Sequence, residues 1–220
     1  MDFDVIISYL PRYEEAFLLT IRIGCLGILL SFGIGIVAAF VTHFKIPVLS
    51  KIVGVYVELF RNTPLLVQLF FIYFGLPKIG FSVSAEACGI IGLGLLGGSY
   101  MSEAIRSGLD SVAVTQSESA IALGMTKTQA FFNVIFPQAL TLCVPAVVAN
   151  VIFLLKETSV FSAISLMDLM FTAKDLIGLY YNTTEALFLL VMFYTVMLLP
   201  VSLLGSFIEK KTRYRMLGAD

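Results

Sequence analysis

The sequence predicts an all-α integral membrane protein, with five transmembrane helices and one structured polar loop between the third and fourth. Three observations carry this. Of 220 residues, 59% are hydrophobic and 13% charged, with a mean hydropathy of +0.97. A soluble core has no use for that much apolar surface, so lipid must solvate most of the chain. The apolar residues also fall into five runs, each near the roughly 20 residues that a spanning helix needs. Finally, residues 115–137 form a polar stretch with helix start and stop signals of its own.

In chain order, the first span covers about 16–41, interrupted by Thr20, Arg22 and small residues. The second covers about 52–76 and contains Glu58 and the run Arg61-Asn62-Thr63-Pro64, where a distorted helix is expected. The third, 85–105, is rich in Gly; the fourth, 139–155, contains Pro145 and Asn150; the fifth covers 186–208. Pro145 frees a carbonyl and kinks its helix, and Asn150 is placed to hydrogen-bond a neighbouring span. Small residues recur every fourth position at Gly27, Ser31 and Gly35, and again at Gly94, Gly98 and Ser102. In lipid such stripes let backbones approach closely. Packing within the chain is favoured over a seam with a second copy.

The loop reads as two short helices. Thr115 and Glu118 have capping-box spacing, and Gly124 supplies the left-handed residue that ends the first helix. Thr126 and Gln129 repeat the box and open a second helix carrying Phe131, Val134 and Ile135, which Pro137 is expected to break.

Lys45, Lys51, Arg106, Lys127, Lys210, Lys211, Arg213 and Arg215 fall on one side, against Arg12, Lys78 and Lys174 on the other. The positive-inside rule then places the N-terminus outside, and the C-terminus and the loop in the cytoplasm. No cleavable signal peptide is expected, because the first apolar run is too long and lacks a basic start. Cys25, Cys88 and Cys143 read as small apolar residues, and the single histidine, His43, excludes a histidine-rich metal centre. A net charge of -1 gives no basis for nucleic-acid binding. Without a repeat or a low-complexity segment, residues 1–220 read as one domain.

Ionisable groups within a bilayer cost several kcal/mol unless paired or facing water. Glu58 and Arg61, three apart, are spaced for an ion pair, either structural at the cytoplasmic interface or facing a lumen. Asn62 and Thr63 are placed nearer the lumen. Glu103 and Arg106 have the same spacing and read as an interface-anchored pair with a gating role open to them. Lys156-Glu157-Thr158-Ser159 follows a fourth run of only about seventeen residues, close to the lower limit for crossing. These residues either line a water-filled vestibule or form an outer loop in which Thr158 or Ser159 caps a short helix over 163–170.

Three segments carry a family resemblance. Glu118-Ser119-Ala120-Ile121-Ala122-Leu123-Gly124 with Val134-Ile135-Phe136-Pro137 resembles the cytoplasmic coupling-loop signature of ATP-binding-cassette (ABC) importer permeases, of type I fold. Ser119, Val134 and Phe136 depart mildly from it. The stretches 56–68 and 100–109 resemble the polar amino-acid subfamily in particular. The resemblance implies that Glu118, Ala120, Leu123, Gly124 and Pro137 couple to an ATPase. It also implies a pathway at Asn62, Thr63, Glu157, Thr158 and Ser159, and structural or gating roles for Glu58, Arg61, Glu103 and Arg106. The partners it implies are two ATPase subunits, a second permease copy or paralogue, an extracytoplasmic amino-acid-binding protein, a polar amino acid and lipid, in a bacterial inner membrane. ATP and Mg would be used by the ATPase, since this chain has no Walker-type Gly-rich loop and is expected to bind no cofactor of its own. The rival is a stand-alone secondary transporter or channel that uses the intramembrane charges. An inverted repeat would favour it, and none is visible. A membrane enzyme lacks an assignable acid–base pair.

Overall fold

The computed structural model describes residues 1–217, with side chains through Thr212. Arg213 and Arg215, counted above for orientation, lie outside the described side chains. The elements are helices α1 (Phe3–His43), α2 (Leu49–Arg61), α3 (Leu65–Phe70), α4 (Ala85–Asp110), α5 (Val114–Ala122), α6 (Lys127–Ala130), α7 (Phe136–Glu157), α8 (Leu169–Tyr180) and α9 (Thr183–Leu217). Wider π turns at Phe71–Gly75 and Phe131–Ile135 follow α3 and α6, and tighter 3-10 turns form at Leu76–Ile79 and Thr158–Ile164.

Helix α1 is the spine. Its 41 residues make a rod about 60 Å long, so it extends well past the apolar run at 16–41. Three apolar clusters are strung along it. Tyr9, Tyr13 and Ala16 pack with α8 and α9; Ile23 and Ile28 pack with α3, α4 and α7; Ala39 packs with Ile105, Phe131 and Ala139. Both small-residue stripes serve contact between α1 and α4. A Cβ on Gly27 would fall 2.7 Å from Leu93, and one on Gly35 would fall 2.5 Å from Met101. The Ser31 hydroxyl donates to the Leu93 carbonyl at 3.1 Å, and a Cβ on Gly98 would meet Ile34 at 2.6 Å. The stripes are therefore packing within the chain. Asn150 does bond a neighbouring span, donating to the Tyr100 carbonyl at 3.2 Å.

Among the described residues, four helices are long and apolar enough to cross a membrane, and the second apolar run supplies a fifth crossing only as a bent pair. The distortion expected within 52–76 is a complete break in the helix. Helix α2 and the segment Leu65–Ile79 meet at 105°. Pro64 has no N–H to donate and sits extended (φ -57°, ψ 141°), which ends α2 and aims α3 elsewhere.

Pro137, by contrast, does not break its helix, which corrects the expectation above. A continuous helical path runs from Lys127 to Ile164. In the π turn before the proline, the N–H of Phe136 reaches back five residues to Phe131. That extra residue widens the turn where the proline ring would otherwise strike a carbonyl. The same device precedes Pro77, with Leu76 bonded to Phe71.

Candidate coupling and pathway sites

The loop folds into a knuckle. Helix α5 starts at Val114 with Ala113 in the capping position and no side-chain cap, so the expected Thr115–Glu118 box does not form. Thr115 already lies within the first turn, two residues past the capping position. Its other end is as read. Gly124 adopts φ +89°, its N–H reaches Ile121 (2.9 Å), and the N–H of Met125 reaches Ala120 (3.1 Å). These are the paired bonds of a Schellman stop. The Thr126–Gln129 box is complete, with both reciprocal bonds made. Ala120 is buried, whereas Glu118, Val114, Ile121 and Leu123 are exposed, Leu123 at 82%. Apolar side chains displayed on so rigid a turn make a surface that a partner can grip.

The knuckle is anchored through Phe131, which is buried beside the end of α1. Its ring centroid lies 5.1 Å from that of Phe44 and 6.0 Å from those of Phe40 and His43.

Next to this cluster the charges form one chain. Glu103 and Arg106 pair as expected, Nη2 to Oε2 at 2.9 Å and Nε to Oε1 at 3.2 Å. Arg106 also donates to Asp110 at 2.9 Å, and His43 Nδ1 lies 3.5 Å from the other oxygen of Asp110. The Glu58–Arg61 pair is a correction. Arg61 faces Glu103 (3.4 Å) and the Tyr100 ring, while Glu58 accepts from the Asn62 amide (3.1 Å). Helix α2 turns Arg61 towards α4, a tertiary choice that spacing alone does not encode.

At the elbow the Asn62 amide also donates to the Glu58 carbonyl (2.7 Å), and the Thr63 hydroxyl donates to Leu59 (2.8 Å). Asn62 and Thr63 line a shallow groove of about 530 Å³ with Gly54, Val55, Glu58 and Leu59. Gln68, missed in the sequence, holds the bend. Its buried amide donates to the carbonyls of Phe60 (3.1 Å) and Thr63 (2.9 Å), two groups that the broken helix leaves unpaired.

The stretch 156–159 does not converge on that groove. Lys156 is exposed beside a separate, mainly apolar groove between α7 and α9. Glu157 and Ser159 are half-buried, and Thr158 is enclosed with its hydroxyl on the Leu155 carbonyl (2.7 Å). The helix that follows is capped by Asp168 and not by Thr158 or Ser159, and it runs from Leu169 rather than over 163–170. Asp168 is fully buried with one carboxylate oxygen unpartnered, and burial pushes its pKa up to about 7. A capping carboxylate before an apolar helix was legible at Asp168; its burial was not.

Comparison with known proteins agrees with this geometry. Residues 31–214 match the family described as binding-protein-dependent transport system inner membrane component. The probable glutamine ABC transporter permease protein GlnP of Bacillus subtilis (strain 168) is 40% identical over 171 residues, 78% of each chain. The arginine transport system permease protein ArtQ of the same organism is 30% identical over 214 residues, 97% of this chain and 98% of that one. A solved amino acid ABC transporter with histidines superposes with a TM-score of 0.90 at 32% identity, over 96% of this chain and 99% of that one. An inward-facing methionine ABC transporter, MetNI, shares the fold alone, at a TM-score of 0.77 and 20% identity. With most of its length covered in each comparison, this chain belongs to the binding-protein-dependent transport system inner membrane components.

Proposed function

We propose that this chain is the membrane-spanning permease subunit of an ATP-driven importer for polar amino acids. The observation that carries the reading is the knuckle, two short helices joined at Gly124 that present Val114, Ile121 and Leu123 between two spans. Relatives named for glutamine and arginine transport support the substrate class. In this reading two ATPase subunits grip the knuckles of two permease chains, identical or paralogous. An extracytoplasmic binding protein delivers the amino acid. ATP and Mg act in the ATPase, and this chain contributes no hydrolytic group.

ATP-driven closure of the partners presses on the exposed face around Glu118 and Leu123. The knuckle passes the push to α7 without a break, because the helix is continuous through Pro137. The pathway is assigned to the elbow groove at Asn62 and Thr63 and to Glu157 and Ser159. Thr158, enclosed at the Leu155 carbonyl, supports its neighbours from behind.

Reconstitution tests this. Vesicles containing the chain, its ATPase and its binding protein should accumulate radiolabelled glutamine or arginine only with ATP inside. A Glu157→Gln complex should retain stimulated ATP hydrolysis while changing its preference between arginine and glutamine, because a carboxylate in a poorly hydrated cavity acts strongly on a passing charge. Uptake driven by an ion gradient without ATP would favour the stand-alone transporter instead.

A further inference from the structure

The ion-pair chain has a direction. On α4, Glu103, Arg106 and Asp110 are spaced three and four apart, which sets them on one face. Its links to other helices come at its two ends. At one end His43, the last residue of α1, meets Asp110, and His43 also packs against Phe131 of the knuckle. At the other end Arg61, the last residue of α2, meets Glu103, and the elbow at Asn62–Pro64 follows directly. The Arg106 guanidinium holds both oxygens of Glu103, so Glu103 is already oriented when it faces Arg61.

Stability does not account for the arrangement. The members are between about a quarter and a half exposed, and such pairs each contribute little to folding. What they do supply is a contiguous polar connection between three helix ends. Resting on the permease reading above, we propose that the Arg61–Glu103 pair is a clasp that passes displacement of the knuckle to the elbow of the second span. Displacement of α5 and α6 shifts Phe131 against the end of α1, and the end of α4 follows through Asp110. Glu103 then draws Arg61, which turns the groove-lining Asn62 and Thr63. Both Arg61 and Glu103 are positioning residues here: they move the pathway and touch no substrate.

A physical connection counts as a coupling route only when its members are shown to be energetically coupled. A double-mutant cycle on the reconstituted complex with its ATPase and binding protein provides that. Uptake and ATP hydrolysis are measured for wild type, Arg61→Gln, Glu103→Gln and the double variant. Each single change should lower amino acid transported per ATP by about two- to fivefold, the scale of a partly exposed ion pair, with the hydrolysis rate preserved. The double variant should be no worse than the worse single, and Arg61→Lys should recover most of the loss. Losses that multiply in the double variant, or a single variant with wild-type coupling, would overturn the clasp. If the glutamine variants do not assemble, the same cycle with Arg61→Met and Glu103→Met is held to the same non-additivity. Wild-type complex that fails to transport with ATP would refute the permease reading, an outcome distinct from failure of the clasp.

Discussion

Asp168 shows how one residue links folding to pH. Its side chain caps α8 by accepting the N–H of Phe171 at 2.9 Å, while burial disfavours the charge and pushes the pKa from 3.8 to about 7. Hydrogen bonds from the backbone and the more distant Lys174 offset this only in part. A carboxyl that holds its proton more tightly when folded favours the fold while that proton stays on. Stability from this group is therefore present below about pH 4 and lost as pH rises to about 7, after which it is flat. Asp168→Asn keeps a capping oxygen and cannot titrate. In thermal unfolding at pH 5 and pH 8, the variant should gain on wild type at the higher pH, by about 2.6 kcal/mol as an upper limit. An equal difference between the two proteins at both values would show that Asp168 is not held neutral by its surroundings. Gln68 and Glu103 are comparable single points of control, since each satisfies or orients groups on more than one segment.

Among the elements, the knuckle depends most on one position. Gly124 sits at φ +89° with open space where a Cβ would point, so backbone conformation alone, and no steric neighbour, demands glycine there. Gly124→Leu should cost about 1–2 kcal/mol locally, enough to unwind the junction while leaving the lipid-embedded spans intact. Its expected signature is normal membrane insertion with ATPase binding or transport per ATP sharply reduced; wild-type transport would remove the knuckle from the mechanism. This element was legible in the sequence because caps and stops are local chemistry: Thr126 with Gln129, and Gly124, each act within a few residues. The apolar runs were legible for a similar reason, since lipid imposes length and composition on every span. The elbow was legible as a distortion at Pro64, but not its 105° angle, which depends on Gln68 and on where α3 packs. Partner choice was the hidden part. Arg61 has Glu58 one turn back and Glu103 on another helix, and only the lie of α2 along α4 decides between them. The two π turns were hidden too, because the aromatic-rich stretches before Pro77 and Pro137 also suit an ordinary helix end.

At the scale of the molecule, the helix ends themselves determine which termini share a side. The N–H of Asp2 donates to Glu185 in the first turn of α9 (2.9 Å), and the Tyr13 hydroxyl donates to the Ala186 carbonyl (2.6 Å). Helices α1 and α9 thus begin at the same end and run the same way. The far end of α1 carries His43 and Phe44 against Phe131, so the knuckle lies opposite Asp2. With α9 about 50 Å long at 1.5 Å per residue, Lys210 and Lys211 reach the knuckle's side, joining Lys45, Lys51 and Lys127. The geometry sets the knuckle and the C-terminal lysines on one side and Asp2 on the other, and we propose from the positive-inside rule that the lysine-rich side is cytoplasmic. Replacing Cys25, Cys88 and Cys143 by alanine leaves a background without thiols, into which Asp2→Cys or Lys211→Cys introduces a single one. A membrane-impermeant maleimide should label Cys at position 2 in intact cells, and Cys at position 211 only in inverted vesicles. Labelling of both from the same face would overturn both the five-span count and the parallel run of α1 and α9. Labelling with the two sides exchanged would keep the five crossings and reverse the orientation, placing the knuckle where no ATPase could reach it.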